Sequence, residues 1–257
     1  MSCWSLSRCL RRGLGLLVCA NVLWLAADSH APLLTYEFDN LNIPVGDNDP
    51  SGVTVVRRLA PEGSAEAALF ITDVNVRLGL VGELAYNGDF YAYLQHGAEF
   101  AVLLNRVGRR TGNEWGYGDA GFDITLDDQA PNGDIHLYRM TLFGNHDTPL
   151  GGPLTQALGN GSWQPDARRD DPAAVLMESG VRTALLSQFN GSILGGDWTL
   201  FVADLSEGGS VVFDSFAIEL ELTPIPEAPA CLPALLVVVA AAFLHFRRCR
   251  RDGGKQP

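Results

Sequence analysis

Short segments of the chain alternate hydrophobic and polar residues with a period of two. In ITDVNVRLGL, at positions 71–80, one face collects four branched residues: Val74, Val76, Leu78 and Leu80. FAIELEL at 216–222 and WTLFVADL at 198–205 repeat the alternation, and FYAYL at 90–94 and FAVLL at 100–104 are short aromatic or branched runs. Alternate side chains of a β-strand point to one face. The pattern therefore predicts several half-buried strands.

Glycine-rich turn signals separate these segments. They are Asn87-Gly88-Asp89, Gly195-Gly196-Asp197 and Glu207-Gly208-Gly209. A convincing amphipathic run of helical length is missing, and Pro172 to Leu186 is the best candidate for a helix. Many short strands with such turns are typical of a sandwich or jelly roll. We predict an all-β, jelly-roll-like β-sandwich over residues 32–222.

Charge is distributed unevenly along the 257 residues. Residues 32–222 carry 27 Asp and Glu against 10 Arg and no Lys, a net charge of −17. Such a surface repels phosphate backbones, so nucleic acid is excluded as an expected partner. Positive charge lies instead at the two ends of the chain, and this distribution is a signal of membrane topology.

The N-terminal residues 1–31 have the pattern of a secretory signal helix. Arg11 and Arg12 precede 15 uncharged residues, GLGLLVCANVLWLAA, and small residues follow at Ala27 and Ala31, where cleavage is expected. Two alternatives are a lipoprotein, for which Val18 is too large before Cys19, and a retained N-terminal anchor. The pattern predicts export.

The C-terminal segment 223–257 combines an apolar run with a basic end. Residues 228–246 contain no Asp, Glu, Lys or Arg, which is enough for a helix of roughly 28 Å. We predict a transmembrane helix over 231–246, held by a cytoplasmic basic tail that contains Arg247, Arg248, Arg250 and Arg251. The alternative is a buried core helix.

The tail combines Pro226-Glu227-Ala228-Pro229, the hydrophobic helix and the arginine cluster. This arrangement resembles the PEP-CTERM sorting signal of bacterial envelope proteins. It departs from the family's Pro-Glu-Pro because Ala228 is inserted. The resemblance implies an exosortase-type transpeptidase as partner. It also implies that the C-terminal helix anchors the protein in the inner membrane before cleavage. The implied destination is the cell surface or extracellular matrix of a bacterium.

The cysteines agree with this division of the chain. All five lie in the terminal segments, at Cys3, Cys9, Cys19, Cys231 and Cys249. The body between them therefore has no disulfide scaffold and no cysteine metal site. Its stability is expected to come from packing.

The body contains five blocks in order: Gly88-Asp89, Gly118-Asp119, Leu126-Asp127-Asp128, Gly161 to Pro165 and Gly196 to Leu200. In this order they resemble the P domain (Homo B domain) of kexin-like and furin-like proprotein convertases, and the similarity is best over residues 73–222. The resemblance implies a jelly roll and an association with serine-type endopeptidases. In that family the protease activity belongs to a separate subtilisin-like domain, for which this chain has no room.

The sequence does not predict an enzyme. None of the five histidines has a subtilisin-type context, and no nucleophile motif of that kind occurs. Gly144-Asn145-His146-Asp147 reproduces a GNHD box of metallophosphoesterases, and Asp134 and His136 supply a D-x-H before it. The other elements of that family are missing, so a polar loop is the simpler interpretation and a metal-dependent hydrolase the remote one.

Calcium is the one cofactor that the sequence suggests. Asp119, Asp127 and Asp128 are candidate ligands, and Val45 to Asp49 is a second acidic stretch. The alternative is that these aspartates bond to backbone in turns. Candidate sugar-stacking aromatics, which also suit core positions, are Tyr91, Tyr93, Trp115, Tyr117 and Trp163.

Three functions remain open from the sequence. The first is a non-catalytic surface or matrix protein that binds an exopolysaccharide or a surface protein. The second is an accessory P domain that acts with a separate serine endopeptidase. The third is the metal-dependent hydrolase.

Overall fold

The residues that the structure describes form ten β-strands in two sheets. The computed structural model describes residues 33–82, 84–150, 158–178 and 180–223. The strands are β1 (Leu33–Phe38), β2 (Ile43–Val45), β3 (Asp49–Leu59), β4 (Phe70–Val81), β5 (Phe90–His96), β6 (Glu99–Asn105), β7 (Phe122–Leu126), β8 (Leu158–Trp163), β9 (Gly196–Asp204) and β10 (Val211–Thr223). A short helix, α1 (Tyr138–Phe143), lies between β7 and β8.

The first sheet has the strand order β1-β10-β4-β7-β8, with β2 also paired to β10. All of its pairs are antiparallel except β7 with β8. The predicted alternation is confirmed in β4 and β10, whose buried residues include Val74, Val76, Leu78, Leu80, Phe216, Ile218, Leu220 and Leu222. These side chains make the inner face of the sheet.

The second sheet has the order β3-β9-β5-β6 and is antiparallel throughout. Its inner face is made by buried residues of β5 and β9: Phe90, Ala92, Leu94, Trp198, Leu200 and Val202. The inner faces of both sheets contribute to one hydrophobic cluster. The predicted all-β, two-sheet architecture is therefore confirmed, with each fully buried large side chain contributing roughly 1.5–3 kcal/mol.

The helices differ from the expectation. No α-helix forms over the described part of Pro172 to Leu186, where only Leu186 begins a 3₁₀ turn, so that candidate was wrong. Helix α1 was not predicted, because six residues are too few to display a helical period. It ends at Gly144, whose φ of 68° is the left-handed conformation that a glycine after a helix provides.

The targeting segments lie outside the described residues. These are the signal helix 1–31, the predicted transmembrane helix 231–246, and the sorting residues Pro226, Glu227, Pro229, Arg247, Arg248, Arg250 and Arg251. Among the helices that the structure describes, none has the length and hydrophobicity to cross a membrane. The domain limits at 32, 222 and 223 stay predictions.

Candidate binding groove

Aromatic side chains occupy the outer face of the second sheet. Because Phe90, Ala92 and Leu94 of β5 point inward, Tyr91 and Tyr93 point outward. Tyr93 pairs with Phe201 of β9, and Tyr91 pairs with Ala203. An outer sheet face is usually polar, so this apolar surface is the first indication of a binding site.

The aromatic rings form a row that runs across neighbouring strands. The Tyr93 ring centroid lies 4.9 Å from that of Phe201, with the ring planes 17° apart, and 4.9 Å from that of Phe100 of β6. The guanidinium of Arg169 lies 5.8 Å from the Phe100 ring centroid. The Tyr91 ring centroid lies 6.1 Å from that of Tyr93 and 6.3 Å from that of Phe201, with ring planes 57° and 62° apart. Neither ring is therefore stacked on Tyr91.

A glycine on β3 makes room for the end of this row. Gly52 has a φ of 53°, and a Cβ placed there would lie 2.7 Å from Cζ of Phe201 and 2.5 Å from the carbonyl oxygen of Val202. Every other residue type would therefore displace the Phe201 ring. The absence of a side chain at Gly52 fixes where the row can lie.

Beside the row is a groove of about 480 Å³, within the range of small-ligand sites. We call it the aromatic groove. Its lining residues are Asn48, Pro50, Tyr91, Tyr93, Arg106, Asp171, Pro172, Ala173, Phe201, Ala203 and Leu205. The lining is mostly apolar with a small number of charged or hydroxyl groups, which is the usual composition of a binding site.

Arg106 is the cation of the groove, and only 7% of it is exposed. It follows β6 directly and has a φ of 51°, an uncommon conformation for a residue with a side chain. Its Nε donates to the carbonyl of Gly88 at 2.8 Å, and its Nη2 donates to Ser206 Oγ at 2.6 Å. Within the described chain Nη1 makes no hydrogen bond to another protein group.

Two carboxylates accompany this guanidinium. Asp89 Oδ1 lies 3.4 Å from Arg106 Nη2, and Asp204, which pairs with Phe90 in the sheet register, also interacts electrostatically with Arg106. Burial raises the pKa of Asp89 to about 6, against the opposing effect of Arg106. Burial, followed by the charge of Asp89, raises the pKa of Asp204 to about 6. Behind the groove, these two carboxylates thus lie near two buried guanidiniums, Arg106 and Arg109.

Tyr91 of the groove remains protonated at neutral pH. Burial, followed by the neighbouring Tyr93, raises the pKa of Tyr91 to about 12. Its hydroxyl can therefore donate and accept a hydrogen bond.

The five candidate aromatics have three different locations. Tyr117 and Trp163 are core residues, Trp115 is 71% exposed, and Tyr91 and Tyr93 line the groove. Sequence reasoning missed Phe100, Phe201 and Arg106. Phe201 had a signal, since it is the outward position between the inward Leu200 and Val202; nothing in the sequence marked Arg106.

The calcium candidates are separated by β7. Asp119 precedes the strand, whereas Asp127 and Asp128 follow it. Asp119 accepts from the Tyr138 hydroxyl, from Arg139 Nε at 2.7 Å and from the amide of Leu150 at 2.8 Å. Both of its oxygens are thus already used by the protein. Asp119 does not come together with the other two candidates.

Asp127 bonds to backbone in a local turn, and Asp128 bonds to the backbone at the start of the distant 3₁₀ turn Leu186–Phe189. Asp127 accepts the Gln129 amide at 2.6 Å, and Asp128 accepts the amides of residues 186 and 187 at 3.0 and 2.8 Å. Burial, followed by Asp127 and then Glu221, raises the pKa of Asp73 nearby. Across the described residues no group of three or more His, Cys, Asp or Glu side chains is placed to hold a metal. Calcium stays a prediction, which a calcium titration of the melting temperature checks.

The GNHD loop is tied to the domain by its own contacts. The Tyr117 hydroxyl oxygen lies 2.7 Å from His146 Nδ1, and Arg139 Nη1 donates to the His146 carbonyl at 3.2 Å. Arg110 pairs with Asp147 at 3.2 Å. Burial, followed by Arg110, lowers the pKa of His146. These contacts account for the polar loop without a metal.

The structure contains a His–Asp pair that sequence reasoning did not find. His136 Nδ1 lies 2.6 Å from Asp166 Oδ2, and both residues are fully buried. His136 Nε2 lies 3.1 Å from the Arg109 carbonyl oxygen, so both ring nitrogens have protein partners. Burial alone would raise the pKa of Asp166, but His136 and Arg168 hold it below the usual value. A pair without access to substrate is structural.

Comparisons with known proteins give no family. No protein-family model matches the chain, and no curated protein matches it. Chains from two crystal structures align with it at 13% identity and a TM-score of 0.36: a complex of the Aeromonas sobria serine protease with its chaperone, and the serine protease of Aeromonas sobria. The aligned regions cover 74% and 83% of this chain, but only 27% and 30% of the two Aeromonas sobria chains. This chain spans under a third of those proteins, and at this TM-score the likeness carries no argument about function.

Proposed function

We propose that the protein is a non-catalytic, exported surface or matrix protein whose jelly-roll-like sandwich binds polysaccharide. The aromatic groove is the observation that carries the proposal. Aromatic faces suit the apolar faces of sugar rings, and a small number of polar groups fix orientation. The two engaged histidines, His136 and His146, support a non-catalytic role.

Binding of the full chain to immobilised polysaccharides tests this function. Tyr93→Ala removes the central ring of the row and is expected to weaken retention, whereas Trp115→Ala removes an exposed aromatic outside the groove and is expected to leave it unchanged. Peptide and phosphoester substrates should not be turned over. Retention by a surface protein with no retention by any polysaccharide would contradict the proposal.

We propose further that an exosortase-type system sorts the protein to the surface. The support is the resemblance of residues 226–251 to a PEP-CTERM signal. Joint replacement of Pro226 and Glu227 by Ala should leave the C-terminal segment uncleaved, as intact mass of the membrane-bound protein would report. Asp252→Ala changes the tail without touching the signal and is the control. Equal processing of both variants would contradict exosortase sorting.

An accessory role beside a serine endopeptidase is the second candidate. The five P-domain-like blocks over 73–222 favour it. It predicts co-purification of the chain with a protease that lacks its own P domain, and loss of that protease's stability when the chain is deleted. Binding of polysaccharide with no associated protease would reject it.

A further inference from the structure

The aromatic groove disfavours ligands of either charge. The Arg106 guanidinium lines it, so a cationic ligand would be repelled at short range. Asp171 also lines it and is exposed, and Asp89 lies behind Arg106 at 3.4 Å. An anionic ligand would meet these carboxylates within a body whose net charge is −17. The charges therefore favour an uncharged ligand.

The same polar groups suit hydroxyl groups. The free Nη1 of Arg106 donates hydrogen bonds, the carboxylate of Asp171 accepts them, and the Tyr91 hydroxyl does either. A hydroxyl both accepts and donates, so a ligand with several adjacent hydroxyls can use all three residues. Hydrogen bonds between a charged group and a neutral one are stronger than those between two neutral groups.

One aromatic ring is placed to stack on a ligand. Tyr93 is flanked at 4.9 Å by Phe201 and Phe100 on the neighbouring strands, so its ring is held within the row. Tyr91 lines the groove, and neither Tyr93 nor Phe201 is stacked on it. The row supports the groove, and Tyr91 is the ring for a ligand's apolar face.

We propose that the aromatic groove binds an uncharged pyranose residue of a polysaccharide. Tyr91 stacks on the sugar ring, Arg106 Nη1 donates to one ring hydroxyl, and Asp171 accepts from another. This inference rests on the proposed polysaccharide-binding function and adds the charge class of the sugar and the residues that select it.

Affinity electrophoresis of the full chain tests the proposal with pairs of polymers that share a sugar backbone, one member uncharged and the other carrying carboxymethyl groups. The matched pairs are dextran with carboxymethyl-dextran, and hydroxyethyl cellulose with carboxymethyl cellulose. We expect the uncharged member of at least one pair to retard the protein more strongly. Asp171→Asn keeps an acceptor but removes the rim charge, and it should raise the affinity for the carboxymethylated member.

Variants at Tyr91 show whether the polymer binds in the aromatic groove or on another surface. Tyr91→Ala should weaken binding of the uncharged polymer by about ten-fold, a loss of about 1.4 kcal/mol. Tyr91→Phe should retain most of the affinity because the ring remains. Tyr91→Leu keeps apolar volume on the sheet without a ring, so it tests stacking even where Tyr91→Ala fails to fold. Trp115→Ala is the control and should bind like the unmodified chain.

The outcomes distinguish this inference from the proposed function. Tighter binding of the carboxymethylated polymers overturns the uncharged-sugar inference but leaves polysaccharide binding intact. Binding of the uncharged polymers that is unchanged in Tyr91→Leu also overturns it, because another surface would then be the site. Retention by no polymer of either charge overturns the proposed function itself.

Discussion

Arg106 connects the aromatic groove to the interior of the sandwich. Its Nε and Nη2 hold Gly88, Asp89 and Ser206, while the residue itself lines the groove. Burial lowers the pKa of its guanidinium, and Asp89 and Asp204 act in the opposite direction. The protonation state of these carboxylates therefore affects the residue that faces a ligand.

Asp204→Asn tests this cluster through the pH dependence of stability. Because the pKa of Asp204 is raised to about 6 in the folded protein, its ionisation destabilises the fold as the pH rises from about 4 to 6. The stability of the Asn variant relative to the unmodified chain should therefore increase over that interval, by on the order of 1 kcal/mol, and level off above it. Urea unfolding at successive pH values measures the difference.

The control for this prediction is Asp39→Asn, which removes an exposed carboxylate. An equal pH-dependent gain in both variants would contradict the role of burial at Asp204. A stability difference that falls as the pH rises would contradict the sign.

A comparison of alanine substitutions at Gly52 and Gly97, which both have positive φ, distinguishes the cost of backbone strain from the cost of steric overlap. Gly52 and Gly97 have φ of 53° and 59°, but a Cβ at Gly97 has no atom within 4 Å, whereas one at Gly52 meets Phe201 and Val202. Both Ala variants carry the strain of a positive φ, roughly 1 kcal/mol. Gly52→Ala should lose about 1–3 kcal/mol more than Gly97→Ala in chemical denaturation, because it overpacks the row. Equal losses would show that Phe201 moves freely.

At the scale of elements, the connection from β8 to β9 depends on buried polar contacts. The long connection over 164–195 contains one 3₁₀ turn, Leu186–Phe189, among its described residues. Arg168 bonds to Asp166 at 3.1 Å and to Asp134 at 2.7 Å, and Arg182 donates to the Gln164 side chain at 2.9 Å. These contacts hold the connection, and with it the groove residues Asp171 and Pro172.

Asp166→Ala tests how much these contacts contribute. It removes the carboxylate partner of buried His136 and one of the two carboxylate partners of Arg168, which keeps Asp134, so we expect a loss of about 3–5 kcal/mol in the free energy of unfolding. Asp197→Ala breaks the exposed pair with Arg58 and should change stability by less than about 1 kcal/mol. Similar losses in the two variants would mean that burial does not decide the contribution of these pairs.

The strands were predictable because burial of one face leaves a period of two in the sequence. The groove was not, because its members come from distant parts of the chain. Tyr93 and Phe201 meet only through the pairing of β5 with β9, and Arg106 joins them only because β6 ends beside β5. Sequence reasoning supplied Tyr91 and Tyr93 as candidates, but strand order decides which aromatics face outward together.

At the scale of the whole molecule, the body contains no cysteine. All five cysteines lie outside the described residues, so the two sheets depend on the shared hydrophobic cluster. We expect a reducing agent to leave the melting temperature of the sandwich unchanged in calorimetry. A decrease on reduction would show that a terminal cysteine pair stabilises it.

The first and last strands of the described chain are neighbours. Leu33 at the start of β1 pairs with Glu221 near the end of β10, and β10 lies between β1 and β4. A mechanical force that separates residues 33 and 223 would open the β1–β10 ladder one pair at a time, as a zipper opens. A force that pulls residue 223 along β10 while the rest of the domain is held would instead load β10 lengthwise. Its ladders with β1 and β4 would then resist in shear together. A tether at the C-terminal side is thus the attachment at which this sheet withstands the greater pull.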